Sequence, residues 1–209
     1  MGLYAKYIFP HILEYVMSSS ILVDCRKDTL LEVNGEILEI GFGTGINLLY
    51  YPAHVRKITG VDININIHSK AKAEKRLQSS HIKVDFYPLN AESLPFPDHT
   101  FDTVVSTFTL CSIKDIHRAL SEIARVLKLN GRFFFAEHGL SPDYQVQKWQ
   151  HRLNPINKAL SCGCNLNRNI KELVESCNLR ILKLDQFYLE KTPKIFGYMY
   201  KGTAIKGSE

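Results

Sequence analysis

The run ILEIGFGTG, residues 37–45, constrains what this 209-residue chain can fold into more than any other stretch. Ile37, Leu38 and Ile40 form an apolar run of the length a buried parallel strand needs, and it stops at three glycines in alternate positions, Gly41, Gly43 and Gly45. Glycine accepts positive φ and carries no Cβ, so the backbone can turn tightly and bring its N–H groups close to a small molecule. Asn47 to Tyr50 then reads as the first turns of a helix. A strand, loop and helix in this order place a nucleotide-like ligand at the carboxyl edge of a parallel sheet.

Two phosphate signatures are excluded. The dinucleotide fingerprint requires a third glycine at position 46, which is Ile46, and that argues against a nicotinamide oxidoreductase. A P-loop requires Gly-Lys-Ser/Thr where Gly45 is followed by Ile-Asn-Leu. The chain offers instead an acid inside the first strand, Glu39, and a second strand ending in Asp62. A carboxylate in the position of Asp62 can accept from both hydroxyls of a ribose. The alternatives at this point are a structural turn or another nucleotide.

This pattern resembles the class I S-adenosylmethionine-dependent methyltransferases. The resemblance implies that the glycine loop passes beside the methionine part of the cofactor and that Asp62 holds the ribose. It extends to Leu94–Ser106, LPFPDHTFDTVVS, which is similar to the LPFxDxxFDxVxS stretch of methyltransferases related to quinone C-methylating enzymes. It also covers the helix, turn and strand of Ala119–Gly139, with Lys128-Leu129-Asn130-Gly131 in place of Lys-Pro-Gly-Gly. Asn130 tolerates the left-handed conformation, so the turn is expected to persist. The implied fold is α/β: a Rossmann-like, doubly wound, seven-stranded sheet of order 3-2-1-4-5-7-6, its last strand antiparallel. Asn90 stands where the family has an acid for the adenine amino group. Its amide oxygen can accept the same hydrogen bond without the charge, and the backbone of Ala91 follows it to the ring. The resemblance thus implies cofactor contacts at Glu39, Gly41, Gly43, Gly45, Asp62, Ile63, Asn90, Ala91 and Thr107.

The segments CSIKD (Cys111–Asp115), EHG (Glu137–Gly139) and GCNLNR (Gly163–Arg168) most resemble the alkyl-thiol methyltransferases of the methyltransferase-like group. The reaction implied is displacement at the methyl carbon of a sulfonium, in which the cofactor carries the activation and the protein aligns nucleophile, methyl and sulfur. No metal is expected. The favoured acceptor is a thiol. The alternatives are a quinone precursor, a lipid or an arsenic species, or a domain that binds the cofactor without catalysis. His138, at the end of strand five, is the candidate base, and Glu137 could orient it or hold another polar group.

Composition narrows the rest. With 45% hydrophobic and 22% charged residues, 209 residues suit a single soluble domain. Within it, residues 1–34 are expected to form an N-terminal helical cap, carrying Tyr4, Tyr7, His11 and Tyr15 at helical spacing. Residues 141–178, with Trp149, are expected to form a helical insertion over the substrate site. The net charge of +5 is spread out, and Lys70, Lys72, Lys75 and Arg76 alternate with Ala71, Ala73 and Glu74. That pattern fits a solvated helix face rather than a nucleic-acid footprint. No nucleic-acid partner is expected, and the resemblance implies a small-molecule acceptor. The odd count of five cysteines fits reduced thiols, and Cys162 and Cys164 stand too close for C-x-x-C zinc spacing. No apolar run reaches the length of a membrane span, so no N-terminal membrane anchor of the kind that group carries is expected, and a cytoplasmic location is expected.

Overall fold

Four consecutive buried residues, Ile37–Ile40, put β1 at the centre of a sheet covered on both faces, because a strand with one wet face would alternate. The computed structural model describes residues 19–63, 67–161 and 163–207. The described chain begins with α1 (Ser20–Leu30), β1 (Ile37–Ile40), a 3-10 turn (Ile46–Leu49), β2 (Lys57–Val61), α2 (Ile67–Ser79), β3 (Lys83–Tyr87) and β4 (Phe101–Thr107). It continues with α3 (Ile116–Val126), β5 (Leu127–His138), α4 (Tyr144–Leu160), α5 (Ile170–Glu175), β6 (Leu179–Tyr188), α6 (Lys194–Gly197) and β7 (Tyr198–Lys206). The strands form one sheet of order 3-2-1-4-5-7-6, in which β7 alone runs antiparallel to its neighbours. Chain order reverses between β1 and β4, the switch point where sheets of this kind bind ligands at their carboxyl edge.

Two apolar layers hold the sheet. On one face Leu120 and Ile123 of α3 and Ile170 and Val174 of α5 pack against Leu38, Val104, Phe133 and Phe135. On the other, Leu30, Val33, Leu48 and Ala73 pack against Ile37, Ile58, Val105 and Phe134. Phe133 and Phe135 have no solvent exposure, and such a ring contributes about 2–3 kcal/mol by burial.

The stretch Leu94–Ser106 serves the fold. Arg125 on α3 donates to the carbonyls of Leu94 and Phe96 and pairs with Asp98, while Glu122 accepts the Leu94 N–H at 2.7 Å. Pro95 and Pro97 pre-set the loop that this helix clamps, which fixes where β4 begins.

Three sequence expectations change. The helix after the glycine loop is only a 3-10 turn, Ile46–Leu49, with Pro52 following shortly after. The sequence reads as a last strand over residues 195–205, but that strand starts at Tyr198, because Lys194–Gly197 is a helical turn behind Pro193. Arg76, expected on a solvated face, donates to the Thr44 carbonyl at 2.8 Å and thereby braces the glycine loop. Asn130 takes the left-handed conformation expected of it, at φ 67°. The helix anticipated around Tyr4–Val16, and Cys162, lie outside the described residues. Among the described residues no helix is long and apolar enough to cross a membrane.

Candidate active site

The glycine loop is shaped by what lies against it. Gly41 has φ 79°, and a Cβ there would lie 1.9 Å from Thr109 Oγ1, so the backbone passes the β4 loop at a distance only glycine allows. Gly45, at φ 67°, starts the 3-10 turn. At Gly43 a Cβ would meet nothing nearer than 3.8 Å, so the space beside it opens toward Asp62. The Gly43 N–H donates to Asp62 Oδ2 at 2.8 Å, which links the tip of the loop to the end of β2. Ile63 next to it is exposed. Asn90 uses its Oδ1 to accept the Glu92 N–H at 3.0 Å, a local turn that fixes the backbone at the buried Ala91.

Below the loop lies a polar network. Asn47 Nδ2 donates to Glu39 Oε1 at 2.9 Å, and the Tyr51 hydroxyl donates to Oε2 at 3.0 Å. Arg26, on α1, donates to Asn47 Oδ1 at 2.8 Å and to Thr107 Oγ1 at 2.7 Å, with its guanidinium 4.7 Å from the centre of the Phe108 ring. Burial pushes Glu39 up to about 7, against the hydrogen bonds of Tyr51 and Asn47 that favour its charged form. Burial likewise lowers Arg26, partly offset by the Glu39 charge. The Glu39 carboxyl, held above its ordinary range, sits buried beneath the glycine loop. Thr107 lies within this network.

Glu137 does not hydrogen-bond His138. Its Oε1 accepts from Ser106 Oγ at 3.1 Å and from the N–H groups of Thr109 and Leu110 at 2.9 and 3.0 Å. It therefore shapes the loop after β4, where Phe108 adopts φ 55°. Its Oε2 is buried without a hydrogen-bond partner among the described residues, and burial pushes this carboxyl up to about 7.

His138 instead approaches two cysteines. Its Nε2 lies 2.9 Å from Cys164 Sγ, and the donor atoms of Cys111, His138 and Cys164 all fall within 4.8 Å of one another. The neighbouring Cys164 thiol, and after it the charge of His138, draw the Cys111 thiol well below its ordinary range against the opposing effect of burial. Burial pulls His138 down, but the adjacent Cys111 sulfur more than offsets it and leaves the imidazole raised. The loop carrying Cys164 is seated by Asn165, whose backbone N–H and Nδ2 both donate to the Cys111 carbonyl at 2.9 Å. Arg168 anchors the neighbouring loop by donating to the carbonyls of Leu110 and Ile113.

Sequence reasoning located Glu39, the three glycines, Asp62 and Thr107, which converge around β1, and Ile63, Asn90 and Ala91 at the ends of β2 and β3. It missed Arg26, Asn47 and Tyr51 around Glu39, and Cys111 and Cys164 around His138. A buried Arg on the helix preceding β1 carries no sequence motif. The segments CSIKD and GCNLNR did contain the two cysteines, but only the fold brings them together.

This sheet, with its glycine loop and acid-tipped β2, defines a class I methyltransferase. The methyltransferase-domain family matches residues 38–135. Over 185 residues the chain is 35% identical to the thiol S-methyltransferase TMT1B of Rattus norvegicus, covering 87% of this chain and 72% of that protein. It is 34% identical over 177 residues to the thiol S-methyltransferase TMT1A of Homo sapiens, covering 79% and 70%. An S-adenosylmethionine-dependent methyltransferase structure from Methanosarcina mazei superposes with a TM-score of 0.68 at 25% identity, over 87% of this chain and 97% of the other. The chain belongs to the S-adenosylmethionine-dependent methyltransferases, within the family that includes the thiol S-methyltransferases. It is an enzyme that transfers a methyl group from S-adenosylmethionine to a small molecule.

Proposed function

We propose that the acceptor is a small thiol and that the enzyme works in the cytosol. The observation carrying the thiol reading is the 35% identity, over most of the chain, to a thiol S-methyltransferase. Free thiols at Cys25, Cys111, Cys164 and Cys177 support a reducing compartment. In this reading Gly41, Gly43 and Gly45 would hold the methionine end of the cofactor, with Glu39 and Thr107 on the side of its ammonium. The ribose bonds Asp62, and the adenine lies between Ile63 and the Asn90–Ala91 turn. The acceptor sulfur approaches the methyl group from the side of His138, whose Nε2 takes its proton. A thiol ionises near pH 8.5, so one imidazole is sufficient help. S-adenosylmethionine would supply the activated methyl group, which the thiolate would take with S-adenosylhomocysteine as the leaving group. The insertion 141–178 covers the acceptor, an arrangement supported by the docking of Asn165 on the Cys111 carbonyl and of buried Gln150 on the carbonyls of Gly139 and Ile195.

The test is S-adenosylhomocysteine formation across a panel of alkyl thiols, quinols, amines, phospholipids and arsenite. Turnover on thiols is expected, and turnover confined to another acceptor class refutes the thiol reading. Two variants check the roles. Asp62→Ala should weaken S-adenosylmethionine binding by about 1.5–3 kcal/mol, the scale of hydrogen bonds to a charged group, read by calorimetric titration. Unchanged affinity removes Asp62 from the ribose. His138→Ala should lower turnover by roughly 10²-fold or more, the usual scale for a lost general base, while cofactor affinity stays at the wild-type value. Equal turnover takes His138 out of the mechanism.

A further inference from the structure

Three side chains from three separate elements meet at the carboxyl edge of the sheet: Cys111 from the loop after β4, His138 from the end of β5, and Cys164 from the loop after α4. We propose that Cys111 Sγ, His138 Nε2 and Cys164 Sγ bind a zinc ion, and that the bound ion silences methyl transfer by occupying His138. The inhibitory part rests on His138 being the base; the binding part does not.

Two sulfurs and one imidazole nitrogen form a donor set that selects zinc among the abundant divalent cations, because thiolates are poor ligands for magnesium and calcium. Tetrahedral zinc, with bonds of about 2.3 Å to sulfur and 2.0 Å to nitrogen, sets neighbouring donors roughly 3.5–3.8 Å apart. The three atoms here lie within 4.8 Å of one another, with the closest named pair at 2.9 Å, so shifts of about 1 Å or less complete the geometry. The backbone behind the donors is already held. Asn165 ties the Cys164 loop to the Cys111 carbonyl, Asn157 Nδ2 donates to the Cys164 carbonyl at 2.8 Å, and His138 is paired with Met199 of β7. Such fixed backbones lower the cost of organising ligands around an ion.

Binding exchanges the remaining thiol protons for the ion and releases them to solvent. Three protein ligands leave a fourth position for water. With its Nε2 lone pair coordinated, His138 cannot take a proton from the acceptor.

The test uses the full chain, reduced and freed of metal. Titration with cobalt(II) should give thiolate-to-cobalt charge-transfer absorption saturating at one equivalent, and zinc should displace it and compete with a chromophoric chelator. C111S, C164S and H138A should each lose at least about tenfold in zinc affinity, and C177S, whose thiol lies beside His117, should keep it. Circular dichroism and S-adenosylhomocysteine binding verify that each variant is folded. Absence of the cobalt band in reduced wild type overturns the proposal, as does zinc affinity that survives C111S and C164S or is lost only in C162S. A Cys111–Cys164 disulfide that forms readily, with no metal bound after its reduction, also overturns it. Zinc binding that leaves thiol turnover unchanged overturns the inhibitory part. If zinc binds but the metal-free enzyme methylates no thiol, the thiol reading fails and the metal site stands.

Discussion

Gly41→Ala is expected to lower S-adenosylmethionine affinity by about 100-fold or more, about 2.7 kcal/mol, and to reduce thermal stability as well. Two costs combine. The position holds φ 79°, where an L side chain adds roughly 1–2 kcal/mol of strain, and its new Cβ would fall 1.9 Å from Thr109 Oγ1. Thr109 cannot simply retreat, because its backbone N–H is bound to Glu137 Oε1 and its hydroxyl donates to the Thr107 carbonyl at 3.1 Å. The loop must therefore lift from β4, carrying the Gly43 N–H away from Asp62. Gly43→Ala makes the informative contrast: its Cβ would meet nothing nearer than 3.8 Å, so stability should fall by only about 1 kcal/mol, while the methyl group would stand in the proposed path of the cofactor. Calorimetric titration and thermal denaturation of both variants separate the two effects. Wild-type affinity in Gly41→Ala would show that the loop is not where the cofactor binds.

Glu39→Gln should produce opposite changes in stability and in binding. Burial holds the folded-state carboxyl at about 7 against an ordinary value of 4.5. Between these values the folded protein binds more of this proton than the unfolded chain does, so the Glu39 contribution to stability declines as pH rises from about 4.5 to about 7. Above that window the cost of the buried charge is complete, on the order of 3 kcal/mol. Glu39→Gln removes this term: the unliganded variant should be more stable than wild type above pH 7 and should show a flatter pH profile. Glu137 titrates in the same range, so the profile flattens without becoming level. Cofactor affinity should fall by roughly 10-fold or more, because the cationic methionine end loses its counter-charge. In wild type, binding near pH 6 should release a proton, read as a dependence of the calorimetric heat on the buffer's ionisation enthalpy. Equal cofactor affinity in Glu39→Gln would place the ammonium elsewhere.

The parts of this site that were legible in the sequence are those whose signals are local. A three-glycine turn announces itself because few other residues accept those φ values, and Asp62 was found because β2 ends there. The Leu94–Ser106 stretch was equally visible, yet its visible role belongs to the fold: Arg125 and Glu122 clamp it to α3. The extent of the helix behind the loop was misread because Asn47–Tyr50 has helical composition but only a single 3-10 turn before Pro52. Arg76 was misread because a basic run with interleaved alanines gives no sign that one guanidinium reaches back to Thr44.

By itself the sequence determined the class of fold and the glycine turn at the end of β1, because strand length, glycine placement and the order of β and α segments act over a few residues and leave few topologies open. Only the tertiary structure decided what surrounds Thr107 and His138. Arg26 meets Thr107 across 81 positions and Cys164 meets His138 across 26. The first exists because the helix before β1 packs its Arg26 over the end of β4, and the second because Asn165 seats the Cys164 loop on the Cys111 carbonyl, contacts that no local pattern encodes. Burial then sets the protonation of Glu39, a property of the packed interior rather than of the residue.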